Sequence, residues 1–212
     1  MTVREGLMNR IITIGREFGS GGRELGRRLA EELGIQYYDK EILREISHDT
    51  SLSEDYLKGI VDKKPNFLFP ITIGRSFSLS DDYHIKQMQT VYQSQSNIIH
   101  QLAEKSDCVI IGRCADYILR DMHPFRIFVY ASMASRIKRC QERSAANENL
   151  TDKEMRNKIL SIDKNRSRHY EDFTGQKWGD RVYYDFCINT TDANIKEIAP
   201  HLAKMFISNC GE

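Results

Sequence analysis

The stretch that decides the fold is "IITIGREFGSGGRELGRRLAEELG", Ile11 to Gly34. It opens as an apolar run and breaks into glycines at Gly19, Gly21 and Gly22. It resumes with Leu25, Leu29 and Leu33 at helical spacing, and Gly34 follows as a C-terminal cap. Strand, glycine loop and helix in that order meet the needs of a backbone phosphate site. The glycines let the chain turn with its N–H groups inward, and the helix start faces its dipole to the anion. A tight turn with no ligand is the alternative, and the strand–helix context favours phosphate.

The loop departs from the pattern G-x-x-x-x-G-K-[ST]. With Gly21 as its second glycine, Gly22 stands at the lysine and Arg23 at the magnesium-binding hydroxyl, and Gly15 is separated from Gly21 by five residues instead of four. Positive charge must therefore come from elsewhere. Arg23, at the helix start, is the first candidate and brings a planar fork instead of an ammonium; Arg16 is the second. Ser20 is the one hydroxyl in the loop for magnesium.

Outward from this unit, further apolar runs rich in Ile, Val, Phe and Tyr predict buried strands at "IQYYD" (35–39), "CVIIG" (108–112), "FRIFVYA" (125–131) and "YDFCINT" (184–190). "MASRIKRCQERSA" and "NIKEIAPHLAKMFI" have helical spacing. Near-continuous apolar strands alternating with helices imply an α/β fold, a parallel sheet covered on both faces. Two stretches fit this alternation poorly and read as helical insertions at strand ends. Residues 40–105 include the Pro/Phe-rich "KKPNFLFP" and a helix-like run from about Asp82 to Lys105. Residues 140–180 are rich in Arg, Lys and Asn. "ITIGREF" (12–18) recurs as "ITIGRSF" (71–77) without the glycines that follow it, which reads as coincidence.

Composition narrows the function. At 212 residues the chain suits a single domain carrying an insertion. With 31 basic and 30 acidic residues it has no overall field for nucleic acid, so any basic site is local. The residues before Arg10 hold no apolar run that could serve as a signal peptide, and no later run approaches about eighteen apolar residues, so a soluble cytoplasmic protein without a membrane partner is expected. Five scattered cysteines without a C-x-x-C pair argue against disulfides and zinc. The histidines have no ligand spacing. An oligomer is possible, but nothing in the sequence indicates one.

Taken together, the loop, "GIQYYDKEILREIS", "CVIIGRCADYIL", "IFVYASMASRIKR" and "YDFCINTT" resemble the cytidylate kinase-like family of P-loop proteins, from Arg10 to about Phe206. The resemblance implies one P-loop NTPase-type domain over 1–212 with a five-stranded parallel sheet. It also implies a helical monophosphate-binding insertion after the second strand, about 40–105, and an arginine-bearing lid over ATP, about 140–180. In such kinases catalysis is mostly positioning and charge neutralisation, with magnesium and several arginines holding two anions in line. Gly19 to Glu24 and Arg139 then fall at the nucleotide. Arg113 matches the arginine of a Gly-Arg-Asp segment that holds the monophosphate, but Cys114 replaces the Asp, and Asp116 lies two places on. Asp39 ends the second strand and Arg44 follows a helical turn later, both toward the acceptor; Asp39 reads equally as a helix N-cap. Asp163, Arg166 and Arg168 match an Arg-Asp-x-x-Asp lid motif loosely. Arg136, Arg139 and Arg143 share a helical face, which suits either phosphate or solvent. Tyr37, Tyr38, Tyr170 and Trp178 suit base stacking or packing.

Three functions follow. The first is phosphoryl transfer from ATP to a nucleoside monophosphate, CMP or dCMP foremost. The second is a kinase with another small acceptor, motivated by the missing lysine and by Cys114. The third is a regulatory nucleotide-binding module that lost catalysis with its lysine.

Overall fold

The computed structural model describes residues 9–50, 79–143 and 150–208. The chain runs β1 (Ile11–Arg16), α1 (Gly22–Leu33), β2 (Gln36–Tyr38), α2 (Glu41–Thr50), α3 (Leu79–Lys105), β3 (Cys108–Ile111), α4 (Ala115–Ile118), β4 (Phe125–Tyr130), α5 (Met133–Arg143), α6 (Asp152–Thr174), β5 (Phe186–Asn189) and α7 (Ile195–Ser208). Each apolar run expected as a strand is one. They form a five-stranded sheet of order β2-β3-β1-β4-β5, parallel throughout.

The central strands are apolar at successive positions because helices cover both faces of the sheet. On one face α1 and α7 pack against Ile12, Ile14, Val109, Ile111, Ile127 and Val129. On the other, α2, α3 and α4 cover Ile11, Cys108 and Ile110. α1 buries Leu25, Leu29 and Ala30, and Gly34 closes it in the left-handed conformation with its N–H on the Ala30 and Glu31 carbonyls. Register pairs Ile14 with Ile111 and Gly15 with Phe128. The carboxyl ends of β1, β3 and β4 therefore lie together, where ligands bind in open α/β sheets.

The two irregular stretches are helical where described. Residues 40–105 supply α2 and α3, and α3 begins at Leu79, ahead of the expected Asp82. The repeat at 71–77 and "KKPNFLFP" lie outside the described residues. Residues 140–180 supply the end of α5 and all of α6. α6 starts at a Thr151–Glu154 capping box and stops at Gly175, again left-handed. The segment after it returns to the sheet, with Trp178 edge-on to Phe128 at 5.3 Å and Tyr184 tilted against it at 4.9 Å. Among the described residues, no helix is long and apolar enough to cross a membrane.

Candidate functional site

The phosphate loop is tied down at both ends before any ligand is considered. Gly19 and Gly21 hold φ of 78° and 84°, which lets the loop double back under the start of α1. On one side, Thr190 Oγ1 at the end of β5 donates to the Ser20 carbonyl at 2.7 Å, and Arg139 donates to the Thr190 carbonyl. On the other, Arg136 Nε donates to the Phe18 carbonyl at 2.7 Å. The same guanidinium pairs with Glu17 at 3.1 Å and with Asp163 of α6. Asp163 in turn accepts the Phe18 N–H at 2.8 Å. Burial raises the Glu17 pKa, against the Ala131 amide and Arg136. Arg136 is thus a buried clamp joining β1, α5 and α6 through the loop.

Two cavities open beside the loop. The larger, about 380 Å³, lies over Gly19, Gly21 and Gly22 and is edged by Arg139, Arg143 and Lys158. The smaller, about 70 Å³, lies at the ends of β1 and β3, against Gly15, Gly112, Arg113, Asp116, Tyr170 and Trp178. Arg16, Arg23 and Arg166 line both. These arginines sit close enough to act on one another. The Arg16 pKa is pushed down to about 9, first by burial and then by Arg166, Arg113 and Arg23, with Asp39 opposing. The guanidinium stays charged at neutral pH, at a cost that an anion placed among these cations would offset.

The wall of the smaller cavity is shaped by an unusual turn. Gly112, Arg113 and Cys114 all have positive φ, at 66°, 59° and 55°. Two of them carry side chains, a conformation that collects at functional sites. Buried Gln95 on α3 donates to the Arg113 carbonyl at 3.0 Å and braces the turn. Behind it, buried Asp116 accepts from the Tyr170 hydroxyl at 2.6 Å. Burial raises the Asp116 pKa, against that hydrogen bond.

The candidates named from sequence fall into two groups. Gly19, Gly21, Gly22, Arg23, Arg113, Asp116, Arg139 and Arg166 stand on the cavity walls. Asp39 is one step behind, buried and ion-paired to Arg23 at 2.7 Å. Among the described residues, Asp39 and four further candidates do not line these cavities. Ser20 is fully buried, its hydroxyl donating to the Glu17 carbonyl at 2.8 Å. Glu24 pairs with Arg28 and Arg143. Arg44 stands on the exposed face of α2, and Arg168 is half-buried on α6. No motif in the sequence flags Glu17, Gln95 or Thr190; each acts through a partner far away in the chain.

The side chains present suit phosphate better than magnesium. No group of three or more His, Cys, Asp or Glu among the described residues gathers to hold a metal ion, and the Ser20 hydroxyl is turned to Glu17. Magnesium commonly takes much of its coordination from water and substrate phosphates.

Comparison with known proteins agrees with this geometry. The sequence model of the cytidylate kinase-like family matches residues 11–192. A curated cytidylate kinase of Methanopyrus kandleri is 24% identical over 191 residues, covering 85% of this chain and 84% of that one. A crystal structure of an uncharacterized protein from Eubacterium ventriosum superposes with a TM-score of 0.69 at 28% identity, over 94% of this chain and 99% of that one. A shikimate kinase from Acinetobacter baumannii in complex with shikimate has a TM-score of 0.53 at 14% identity, over 97% and 96%, a likeness of fold alone. The fold is that of the P-loop kinases. This chain belongs to the cytidylate kinase-like family, and that membership supports a kinase, a phosphotransferase.

Proposed function

We propose that this member of the cytidylate kinase-like family transfers a phosphoryl group from ATP to a nucleoside monophosphate, with CMP and dCMP the first acceptors. The observation that carries the reading is the arginine wall shared by two cavities, one over the phosphate loop and one at the ends of β1 and β3. Two polyanions meeting head to head repel each other, and fixed guanidiniums between them offset that repulsion without reorganising during reaction. In this reading the loop amides from Gly19 to Arg23 cradle the ATP phosphates, and Arg139 edges the nucleotide. Arg113 and Arg23, the latter steered by Asp39, take the acceptor phosphate. Asp116 offers a carboxyl oxygen to an exocyclic amino group. Arg166 already stands at the site on α6, the part of the proposed lid, 140–180, that Arg136 holds to the loop, while 40–105 receives the monophosphate. Arg44 and Arg168, outside the cavity walls, are assigned to substrate phosphate in the same reading. Magnesium arriving with ATP would neutralise charge on the nucleotide phosphates.

The test is to follow ADP formation from Mg-ATP with CMP, dCMP, UMP, AMP, GMP, shikimate and gluconate in parallel. CMP or dCMP should be fastest, with turnover in the range of about 1–100 per second. Turnover on a non-nucleotide acceptor alone would replace this reading by the second one, a kinase of another small metabolite. One observation favours that second reading: the residue after Arg113 is the buried thiol of Cys114, not a carboxylate.

A further inference from the structure

Gly22 stands where a phosphate loop of the usual pattern carries its lysine, and its backbone gives no reason for glycine. It is the first residue of α1 and, unlike Gly19 and Gly21, is not among the residues with positive φ. What excludes a side chain is chiefly Arg16, with Val129 Cβ also close, at 3.2 Å. A β-carbon on Gly22 would lie 2.6 Å from Cβ of Arg16 and 3.2 Å from its Cγ. The stem of Arg16 therefore runs through the space that a side chain at 22 would fill. Its far end is also cleared by a glycine. A β-carbon on Gly112, at the end of β3, would come within 1.8 Å of Arg16 Nη1. Two glycines far apart in sequence thus open a passage for one arginine, which lines both cavities.

A lysine at position 22 would send its ammonium to the β- and γ-phosphates. We infer that Arg16 supplies this charge from the end of β1, touching the phosphoryl group in transfer, and that Gly22 is glycine so that Arg16 can pass. The inference rests on reading the chain as a phosphoryl transferase. The surroundings support it independently of the spacing. Arg113, Arg166 and Arg23 all act on Arg16 unfavourably, an arrangement that a phosphate between them would stabilise. A guanidinium also gives two coplanar donors where an ammonium is a point charge, so the exchange changes geometry while keeping the sign.

The experiment moves the charge from one residue to the other. Arg16→Gly and Arg16→Met should lower kcat on the order of 10²–10³-fold, as loss of a preorganised donor does. They should also weaken binding of inorganic tripolyphosphate about tenfold or more, as loss of a charge-assisted hydrogen bond does. Arg16→Lys keeps the stem and one charge, and should stay above Arg16→Met in both readouts. Gly22→Lys alone drives a side chain into Arg16 and should lower thermal stability. The exchanged pair, Arg16→Gly with Gly22→Lys, should recover about tenfold over Arg16→Gly, because the ammonium returns to the phosphates through the vacated space. Removing an obstructive arginine would relieve Gly22→Lys without restoring phosphate binding, so that recovery separates the two roles. The inference falls if folded Arg16→Met binds tripolyphosphate and turns over like the wild type. It falls equally if a folded exchange recovers neither readout. Should the exchange not fold, the contrast between Arg16→Met and Arg16→Lys decides alone. Should the wild type turn over no acceptor, the kinase reading fails by itself, and tripolyphosphate binding still decides whether Arg16 holds phosphate.

Discussion

Arg136 and Arg16 both lie against the phosphate loop, yet they meet opposite electrostatic company. Arg136 has Glu17 and Asp163 on its guanidinium and the Phe18 carbonyl on its Nε. Arg16 has Arg166, Arg113 and Arg23 around it, with Asp39 as the opposing charge. The first is a finished ion cluster, and its service is to hold the loop, α5 and α6 together. The second is electrostatically incomplete, and in the proposed reading an anion completes it. A sequence rich in arginine therefore contains two materials under one letter, mortar and receptor, and only the neighbours distinguish them.

Arg136→Leu strands two carboxylates that it now neutralises, and should cost about 3–5 kcal/mol of stability in urea unfolding. A loss under about 1 kcal/mol would mean that the cluster is not the clamp described. On the receptor side, Arg166→Met should leave urea stability nearly unchanged while lowering kcat on the order of 10²-fold. An equal loss in both measurements would move Arg166 to the mortar side. A smaller effect extends the contrast to carboxyls. Asp163 is held by an arginine, whereas Asp116 is held by the Tyr170 hydroxyl, and burial raises the Asp116 pKa. A carboxyl with a raised folded-state pKa gives stability below its unfolded value of about 4, and that stability is lost as pH rises through the folded value. Asp116→Asn removes this dependence, so the melting temperature of the variant should gain on the wild type as pH rises from about 4. A difference that is flat with pH would show that Asp116 titrates as an ordinary surface carboxyl.

Much of the fold was legible in the sequence because burial on both faces leaves a compositional trace. The runs at "IITIG", "CVIIG" and "FRIFVY" have nowhere to place polar residues, and Gly34 marks a helix end by itself. The cavity walls were partly legible for the same kind of reason: glycines between strand and helix, and an arginine directly after a strand, are local patterns. What spacing does not carry is the partner across the fold. Arg136, Arg139 and Arg143 share one helical face, but one joins Glu17 and Asp163, one bonds the Thr190 carbonyl and one meets Glu24. Gly22 shows the limit most plainly. In sequence it is a missing lysine; in space it is the room through which Arg16 passes.

The cavities share Arg16, Arg23 and Arg166 as a common wall, and under the proposed kinase reading this bears on inhibition. Separate ligands for the two sides each lose their own translational freedom on binding. A single molecule with both heads joined through a phosphate chain loses it once, so its second head binds at the effective concentration set by the tether. Where the tether matches the span, such bivalency raises affinity on the order of 10²–10⁴-fold over either head alone. Tethers one phosphate longer or shorter would act as a ruler, and the length that binds tightest in competition against ATP would measure the distance across the arginine wall.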